Sequence, residues 1–387
     1  MSVFFGIDVL LDQRLDLIAG RRVGLISNAS GVTRDLTSNV DALRSAAGVH
    51  LVALFGPEHG FSAIAADGAP VSTAVDARTG LPVYSLYGEV RQPTAEMLAE
   101  IDVLVFDIQS VGVRFYTYIT TLLNSLQAAA EHGLRLVVCD RPNPISGEIL
   151  EGPLLEQGFE SFVGPGPLPI RHGLTMGELA RLYNTDWGVG CDLTVIPCAG
   201  WRREMWYDDT RLPWVPPSPG MPWPETAMVY PGTCLVEGTN LSEGRGTTLP
   251  FHLVGAPWID GHRLAKALNE RGLPGLIFRP VVFEPAADKW SGQRCGGVQL
   301  HVTNRASFRP VTAGLHLLAT VQSLYPDNLV YRKSGRDSEH PHIDLLAGTT
   351  RVRKALNDGE NIHNLVASWA DELDEYSRMA REIHLYT

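Results

Sequence analysis

Between residues 20 and 140, short apolar runs typical of β-strands alternate with helical patterns. The predicted strands cover 23–27, 49–55, 83–87, 103–108 and 134–139, and the predicted helices cover 39–46, 94–100 and 119–131. Continuous apolar strands, such as the run at 103–106, suit a parallel sheet that is covered on both faces. The alternation therefore predicts a Rossmann-like, doubly wound α/β domain.

From about residue 150 the pattern changes, and the Gly/Pro run at 164–167 is a candidate hinge. We expect a Rossmann-like domain over residues 1–165 and a smaller mixed α/β domain over residues 166–387. In the second region we predict helices at 175–184, 262–271, 312–324, 344–356 and 362–383, and strands at 193–197, 233–236, 277–283 and 298–302.

Residues 201–225 contain half of the chain's eight tryptophans among closely spaced prolines. Because proline lacks the N–H group, such a segment cannot form a regular helix or strand ladder. It is an ordered loop if its aromatic rings are buried, and a binding wall if they are exposed.

The charge and cysteine content exclude several classes of protein. A net charge of −11 leaves no electrostatic basis for binding nucleic acid. Five scattered cysteines without a C-x-x-C pair indicate reduced thiols. The sequence has no segment of about 20 apolar residues that could span a membrane, and its N-terminus has no basic stretch typical of a signal peptide. We therefore expect a cytoplasmic protein; its oligomeric state stays open.

Several familiar catalytic signatures are absent from the sequence. It contains no G-x-S-x-G, no G-x-x-x-x-G-K-[ST], no G-x-G-x-x-G after a strand and no H-E-x-x-H. The pair His340 and His342 has no third ligand nearby in the sequence, so we expect no metal there. We predict no cofactor.

Polar residues follow four of the predicted strands at the point where each strand ends. They are Asn28, Glu58, the pair Asp107 and Gln109, and Arg141. In doubly wound sheets, ligands bind outside the carboxyl ends of the strands. These side chains therefore plausibly converge on one site.

The run at 56–60 places Glu58 and His59 between glycines directly after an apolar strand. A partly desolvated glutamate held rigidly at the end of a strand could act as a general acid, with His59 orienting it. The alternative is a turn in which Glu58 caps the next element and His59 bonds to the backbone.

The loop at 237–248 combines two carboxylates with an arginine and several small polar residues. Glu237, Asn240 and Glu243 could bind sugar hydroxyls, while Arg245 offers a planar fork for a carboxylate. Alternatively, this is a solvated glycine-rich loop in which Arg245 pairs with one of the two glutamates.

Two further runs have functional and structural interpretations. In the run at 106–118, Arg114 could meet an anion, and the hydroxyls of Tyr116 and Tyr118 could donate to a substrate; otherwise the rings are core aromatics and Arg114 is a surface ion. In the run at 140–144, two prolines fix the direction of Asn143, which either binds a ligand or belongs to a rigid turn.

Taken together, these runs resemble the exo-β-N-acetylmuramidase family typified by NamZ. The resemblance covers nearly the whole chain and rests on residues 6–8, 24–28, 56–60, 106–109, 114–118, 140–144, 237–240 and 242–247. It implies a Rossmann-like domain joined to a smaller α/β domain with the active site between them. It also implies release of terminal N-acetylmuramic acid (MurNAc) from peptidoglycan-derived saccharides, with Glu58 as the leading catalytic candidate.

The resulting hypothesis assigns Glu58 as the acid, with Glu243 or Glu237 supporting a water molecule or the oxocarbenium charge. Arg245 or Arg114 would bind the lactyl carboxylate that distinguishes MurNAc from N-acetylglucosamine (GlcNAc). A non-catalytic muropeptide-binding protein and a sugar or nucleotide transferase are the competing classes.

Overall fold

The computed structural model describes residues 2–66, 68–69, 72–334 and 339–387. Its helices are α1 (Gly6–Gln13), α2 (Asn39–Ser45), α3 (Ala95–Leu98), α4 (Tyr118–Glu131), α5 (Met176–Thr185), α6 (Tyr207–Thr210), α7 (Pro224–Thr233), α8 (Gly261–Asn269), α9 (Pro310–Leu324), α10 (His342–Ala347), α11 (Arg351–Asp358), α12 (Ile362–Ala367) and α13 (Ala370–Arg381). Its strands are β1 (Arg22–Ser27), β2 (His50–Gly56), β3 (Ala74–Val75), β4 (Pro82–Ser85), β5 (Val103–Asp107), β6 (Arg135–Cys139), β7 (Glu151–Leu154), β8 (Pro169–Arg171), β9 (Asp192–Ile196), β10 (Leu253–Ala256), β11 (Leu276–Phe283) and β12 (Cys295–Val302).

A seven-stranded sheet in the order β3-β4-β2-β1-β5-β6-β9 forms the first domain. All neighbours pair in parallel except the edge pair β3–β4. Apart from the edge strand β3, chain order runs outward in both directions from β1, which confirms the predicted doubly wound arrangement. Strand β9 belongs to this sheet, so the sheet extends past the domain boundary expected at residue 165.

The central strands bury both faces because alternate side chains point to opposite cores. Leu25 and Val105 face a core that includes side chains of α1 and α2. Ile26 and Phe106 face a second core that includes α4 and α5 and continues into the rest of the molecule. These strands are continuously apolar because both faces of the sheet are covered, as the sequence predicts.

The second domain contains the three-stranded antiparallel sheet β10-β12-β11 and most of the remaining helices. The strand predicted at 233–236 is wrong, because these residues continue α7 into a 3₁₀ segment, Cys234–Gly238. The long helix predicted at 344–356 is divided at Gly348, which has a left-handed backbone conformation (φ 73°). The helix predicted at 362–383 is divided into α12 and α13.

The segment at 201–225 is mainly an ordered loop. Trp201 and Trp206 are buried, whereas Trp223 is 61% exposed. All five cysteines are buried and free. Among the described residues, no helix is both long and apolar enough to cross a bilayer, and no three His, Cys, Asp or Glu side chains are grouped to hold a metal ion.

Candidate active site

The carboxyl ends of β1, β2, β5 and β6 lie side by side at one edge of the large sheet. Ser27 pairs with Asp107 at the ends of β1 and β5, and Ile26 pairs with Phe55 near the ends of β1 and β2. Because the strands are parallel, the residues that follow them emerge at the same edge. The structure therefore brings Asn28, Glu58 and Asp107 to this edge, as the sequence predicts.

Glu58 lies on a tight turn after β2, and it is half-buried. Its Oε2 accepts a hydrogen bond from Thr117 Oγ1 at 2.7 Å, and its Oε1 accepts one from the Gly68 N–H at 3.3 Å. The turn requires glycine at position 56, because a Cβ there would approach the Phe61 nitrogen to 2.6 Å. The carboxylate is thus held in place by the start of α4 and by a neighbouring loop.

His59 supports the same turn. It is a buried non-glycine residue with positive φ (69°), an uncommon conformation that the surrounding structure must enforce. Its Nδ1–H donates to the Ala65 carbonyl at 2.8 Å. This backbone bond matches the structural alternative for His59, in which the ring fixes the loop that follows Glu58.

Asn28 and Tyr118 form a buried support beneath this edge. Asn28 Nδ2 donates to Tyr118 OH and to the Pro217 carbonyl, each at 3.0 Å, and Asn28 Oδ1 accepts from the N–H and hydroxyl of Ser30. Tyr118 OH donates to the same Pro217 carbonyl at 2.6 Å, and burial raises its pKa well above the ordinary value. Both side chains therefore join the tryptophan- and proline-rich loop to the sheet.

Asp107 and Arg141 form a buried bidentate ion pair. Arg141 donates to the two carboxylate oxygens at 2.6 and 2.9 Å, and Asn39 Nδ2 donates to Asp107 at 2.9 Å. The Arg141 guanidinium also lies over the Phe5 ring. The two charges compensate each other out of contact with solvent, so removing either partner would leave the other charge buried and unpaired at the strand ends.

Three other expected binding residues also contact neighbouring protein groups. Gln109 Nε2 donates to the Ser110 and Pro142 carbonyls, while its buried Oε1 has no hydrogen-bond partner among the described residues. Asn143 bonds to the backbone of Leu174 and Ile145. Tyr116 OH donates to Ser218 Oγ at 3.0 Å. This placement favours the rigid-turn interpretation of Asn143.

Arg114 is fully buried and its guanidinium donates to three backbone carbonyls, those of Pro153, Leu168 and Leu346. Burial lowers its pKa to about 9. It joins β7 and α10 to the first domain, and it is neither the surface ion nor the exposed anion-binding group that the sequence suggested. The expectation that Arg114 meets a substrate anion is not supported by this position.

The loop at 237–248 forms a compact cluster of charges. Arg245 lies 2.7 Å from Glu237 and 3.3 Å from Glu243, and Lys289 Nζ lies 2.6 Å from Glu243. Burial raises the pKa of Glu243, against the opposing effect of Lys289. Arg245 also lies over the Phe251 ring, so internal pairing, the alternative for this loop, accounts for its guanidinium.

The two carboxylates of this loop differ in solvent accessibility. Glu243 is 2% exposed at its side chain, whereas Glu237 is 19% exposed. Asn240 bonds to the backbone of Asn328 and Val330. Of the two carboxylates, Glu237 is therefore the more accessible.

A cleft of about 1540 Å³ is lined in part by Gly68, a hydrogen-bond partner of Glu58. Its described lining comes from three stretches of chain, Gly68 to Met97, Gly158 to Val163 and Ser334 to Leu345. Gly68 both lines the cleft and donates to Glu58. His342 also lines it, and the pKa of His342 is lowered to about 4 by burial and by nearby Arg332 and Lys289. Glu58 and the cleft are therefore linked through Gly68.

Sequence reasoning missed most of the residues that line this cleft. Arg91 and Phe162 come from irregular segments without periodicity or a catalytic motif, and Tyr87 lies in a bend just after β4. Lys289, which neutralises Glu243, is distant in sequence from the loop that it supports. A single sequence gives no local signal for such contacts.

Comparison with known proteins agrees with these observations. Residues 23–225 match the model "Exo-beta-N-acetylmuramidase NamZ, N-terminal", and residues 228–386 match "Exo-beta-N-acetylmuramidase NamZ, C-terminal". The chain is 46% identical over 381 residues to the peptidoglycan β-N-acetylmuramidase NamZ of Bacillus subtilis (strain 168), covering 98% of this chain and 91% of that protein.

Two solved structures share the fold. One is the crystal structure of a DUF1343 family protein from Bacteroides fragilis NCTC 9343, with a TM-score of 0.91 and 38% identity. A second DUF1343 family protein from the same organism has a TM-score of 0.80 and 29% identity. Each comparison covers 100% of this chain and 99% of the other.

Proposed function

Because the chain belongs to the exo-β-N-acetylmuramidase NamZ family, we propose that it is a glycosidase that releases MurNAc from the non-reducing end of peptidoglycan-derived saccharides. The observation that carries this proposal is the Glu58 carboxyl group, which is held by Thr117 and by Gly68, a residue that lines a large cleft. A general acid needs a carboxyl group that is held rigidly by its neighbours and can reach the substrate.

In the proposed reaction, Glu58 donates its proton to the glycosidic oxygen as the bond between that oxygen and the MurNAc anomeric carbon breaks. A water oxygen ends on the anomeric carbon, and the proton that it loses passes to a carboxylate. The second carboxylate either takes that proton directly or first forms a covalent glycosyl intermediate, according to its separation from the acid. We favour Glu237 over Glu243 for this role because its side chain is more exposed.

The five free, buried cysteines support action in a reducing compartment. We therefore propose that the protein acts in the cytoplasm, on imported saccharides. Cell fractionation followed by immunoblotting tests the location, and accumulation in the culture medium would contradict it.

The decisive assay incubates the wild-type protein with defined MurNAc-GlcNAc and follows the products by mass spectrometry. The proposal predicts equal amounts of free MurNAc and GlcNAc. Calorimetric binding of the disaccharide without any product would instead identify a muropeptide-binding protein. Transfer of MurNAc to an added acceptor, with no hydrolysis, would identify a transferase.

A further inference from the structure

A second pocket, of about 700 Å³, lies between α9 and the turn that joins α11 to α12. Its lining comes from α9, at positions 316, 319, 322 and 323, from the end of α11 and the start of α12, and from Arg271 just after α8. None of the described residues lines both this pocket and the larger cleft. A ligand bound here would therefore contact groups other than those proposed for glycoside hydrolysis.

His316 is the residue of this pocket that most strongly indicates a ligand. It is 3% exposed, yet neither of its ring nitrogens has a hydrogen-bond partner in the part of the chain that the structure describes. Burial, together with nearby Arg271 and His363, lowers its pKa to about 4. The ring is thus neutral at neutral pH and offers one N–H donor and one acceptor. Because buried polar groups are nearly always hydrogen-bonded, this ring lacks partners that a bound molecule would supply.

Gln322 adds an unmatched acceptor on the same helix. Its side chain lines the pocket, and its buried Oε1 has no hydrogen-bond partner among the described residues. A carboxamide oxygen only accepts hydrogen bonds, so a hydroxyl group is a suitable partner for it. The pocket therefore favours a ligand that carries hydroxyl groups.

Arg271 brings a positive charge to the same place. Its Nε–H donates to Thr320 Oγ1 at 2.8 Å, and Thr320 Oγ1 donates to the His316 carbonyl at 2.6 Å. These two hydrogen bonds hold the guanidinium beside the turn of α9 that carries His316. The two terminal amino groups of Arg271 have no partner within the described ranges, so they are available to an anion.

His363, at the start of α12, completes a set of three nitrogen-donor side chains. Its ring lies 5.0 Å from that of His316 and is exposed, so a rotation about its Cα–Cβ bond can uncover the His316 nitrogens. The donors of Arg271 and the two imidazoles exceed what the two oxygens of a carboxylate need, and they suit the three terminal oxygens of a phosphoryl group. Glu360, the one acidic residue in the described lining, can accept from a hydroxyl group.

We propose that this pocket binds a small hydroxylated phosphate ester of the sugar phosphate class. Arg271 grips the phosphoryl oxygens with its planar fork, His316 and His363 donate to the same group, and Gln322 accepts from a hydroxyl of the ligand. The site is separate from the proposed active site, and its assignment does not depend on Glu58.

Calorimetry with glucose 6-phosphate as the probe tests this proposal. We expect one molecule to bind per chain, inorganic phosphate to bind more weakly, and glucose not to bind. Arg271→Gln should weaken binding of glucose 6-phosphate roughly 10- to 100-fold, because charge-assisted hydrogen bonds are lost. Arg263→Gln is the matched control, since it removes the same charge from an exposed position of α8 outside the pocket.

His363→Gln gives a second measure, because an exposed side chain can be replaced without disturbing the fold, and it should weaken binding several-fold. The NMR signals of the His316 and His363 rings should shift when glucose 6-phosphate is added, but not when glucose is added. The urea midpoint of each variant shows whether it remains folded.

The absence of saturable binding at millimolar glucose 6-phosphate would overturn the proposal. Equal losses in Arg271→Gln and Arg263→Gln would also overturn it, because they would indicate general charge attraction without a site. Since binding needs no turnover, this result is decided whether or not the protein hydrolyses MurNAc-GlcNAc.

Discussion

Two carboxylates at the same edge of the sheet, Asp107 and Glu58, have opposite surroundings. Asp107 is completely buried and accepts hydrogen bonds from Arg141 and Asn39. Glu58 is half-buried, its described hydrogen bonds come from Thr117 and Gly68, and Gly68 lines an open cleft. The strand-end position therefore does not by itself define a catalytic residue, and the proposed assignment of Glu58 rests on its greater exposure.

The largest effect should follow from replacing the accessible carboxyl group. Glu58→Gln keeps the shape and the hydrogen-bonding capacity of the side chain but cannot transfer the proton. We expect kcat on MurNAc-GlcNAc to fall about 10²- to 10⁴-fold, which is the usual contribution of general acid catalysis. The midpoint of urea unfolding should remain close to that of the wild type, and Glu131→Gln, at the distant end of α4, should leave both quantities unchanged.

Asp107→Asn should have its main effect on stability. Removing one charge leaves Arg141 buried without its ion-pair partner, and losses of about 3–5 kcal/mol are typical of such changes. Equilibrium urea unfolding measures the loss, and activity per folded molecule should be largely retained at low temperature. A stable Asp107→Asn protein with abolished activity would reverse the assignment of roles.

The free energy of unfolding should also depend on pH through one buried histidine. Burial, with a further effect of nearby Arg114 and Arg203, lowers the pKa of His172 to about 3. The folded state therefore binds fewer protons than the unfolded state between about pH 3 and pH 6.5, so the free energy of unfolding falls as the pH decreases through this range.

Each pH unit in this range should cost about 1.4 kcal/mol from this one group. Urea unfolding at about pH 7 and about pH 5 should show a smaller pH-dependent loss for His172→Asn than for the wild type. An equal loss in the two proteins would show that His172 does not contribute to acid destabilisation.

The smallest effect should come from the residue that positions Glu58. Thr117→Val removes a hydroxyl at 2.7 Å from the carboxylate while keeping the shape of the side chain. The loss of one hydrogen bond, about 1 kcal/mol, corresponds to about a fivefold decrease in kcat/KM. Thr185→Val, on the exposed end of α5, is the control, and an unchanged rate for Thr117→Val would show that the contact does not matter.

Much of the first domain was predictable because apolar runs and glycine-rich turns are local signals. The strands that end near Asn28, Glu58, Asp107 and Arg141 lie where the sequence predicts, and α5 covers nearly all of the helix predicted at 175–184. By contrast, the short apolar run at 233–236 is compatible with a strand or a buried helical segment, and the structure forms the latter. Whether β9 joins the large sheet depends on its packing against neighbouring elements. The order of elements along the chain does not predict this packing.

The contents of the site were less predictable than its location. The run that contains Arg114 suggested an anion contact, yet the side chain is buried among carbonyls. Arg91 has no motif around it, and its contacts with Phe162 and Asn124 are tertiary. Residue type and spacing indicate which chemistry is available, whereas burial decides which of the candidate groups can use it.

Varying the leaving group of a MurNAc glycoside tests whether Glu58 is the general acid. A dinitrophenyl leaving group needs little protonation, whereas GlcNAc needs an acid to depart. We expect Glu58→Gln to keep a kcat/KM close to that of the wild type on the dinitrophenyl glycoside, with or without a covalent intermediate, while nearly losing kcat/KM on MurNAc-GlcNAc. Equal losses on both substrates would contradict the assignment of Glu58 as the acid.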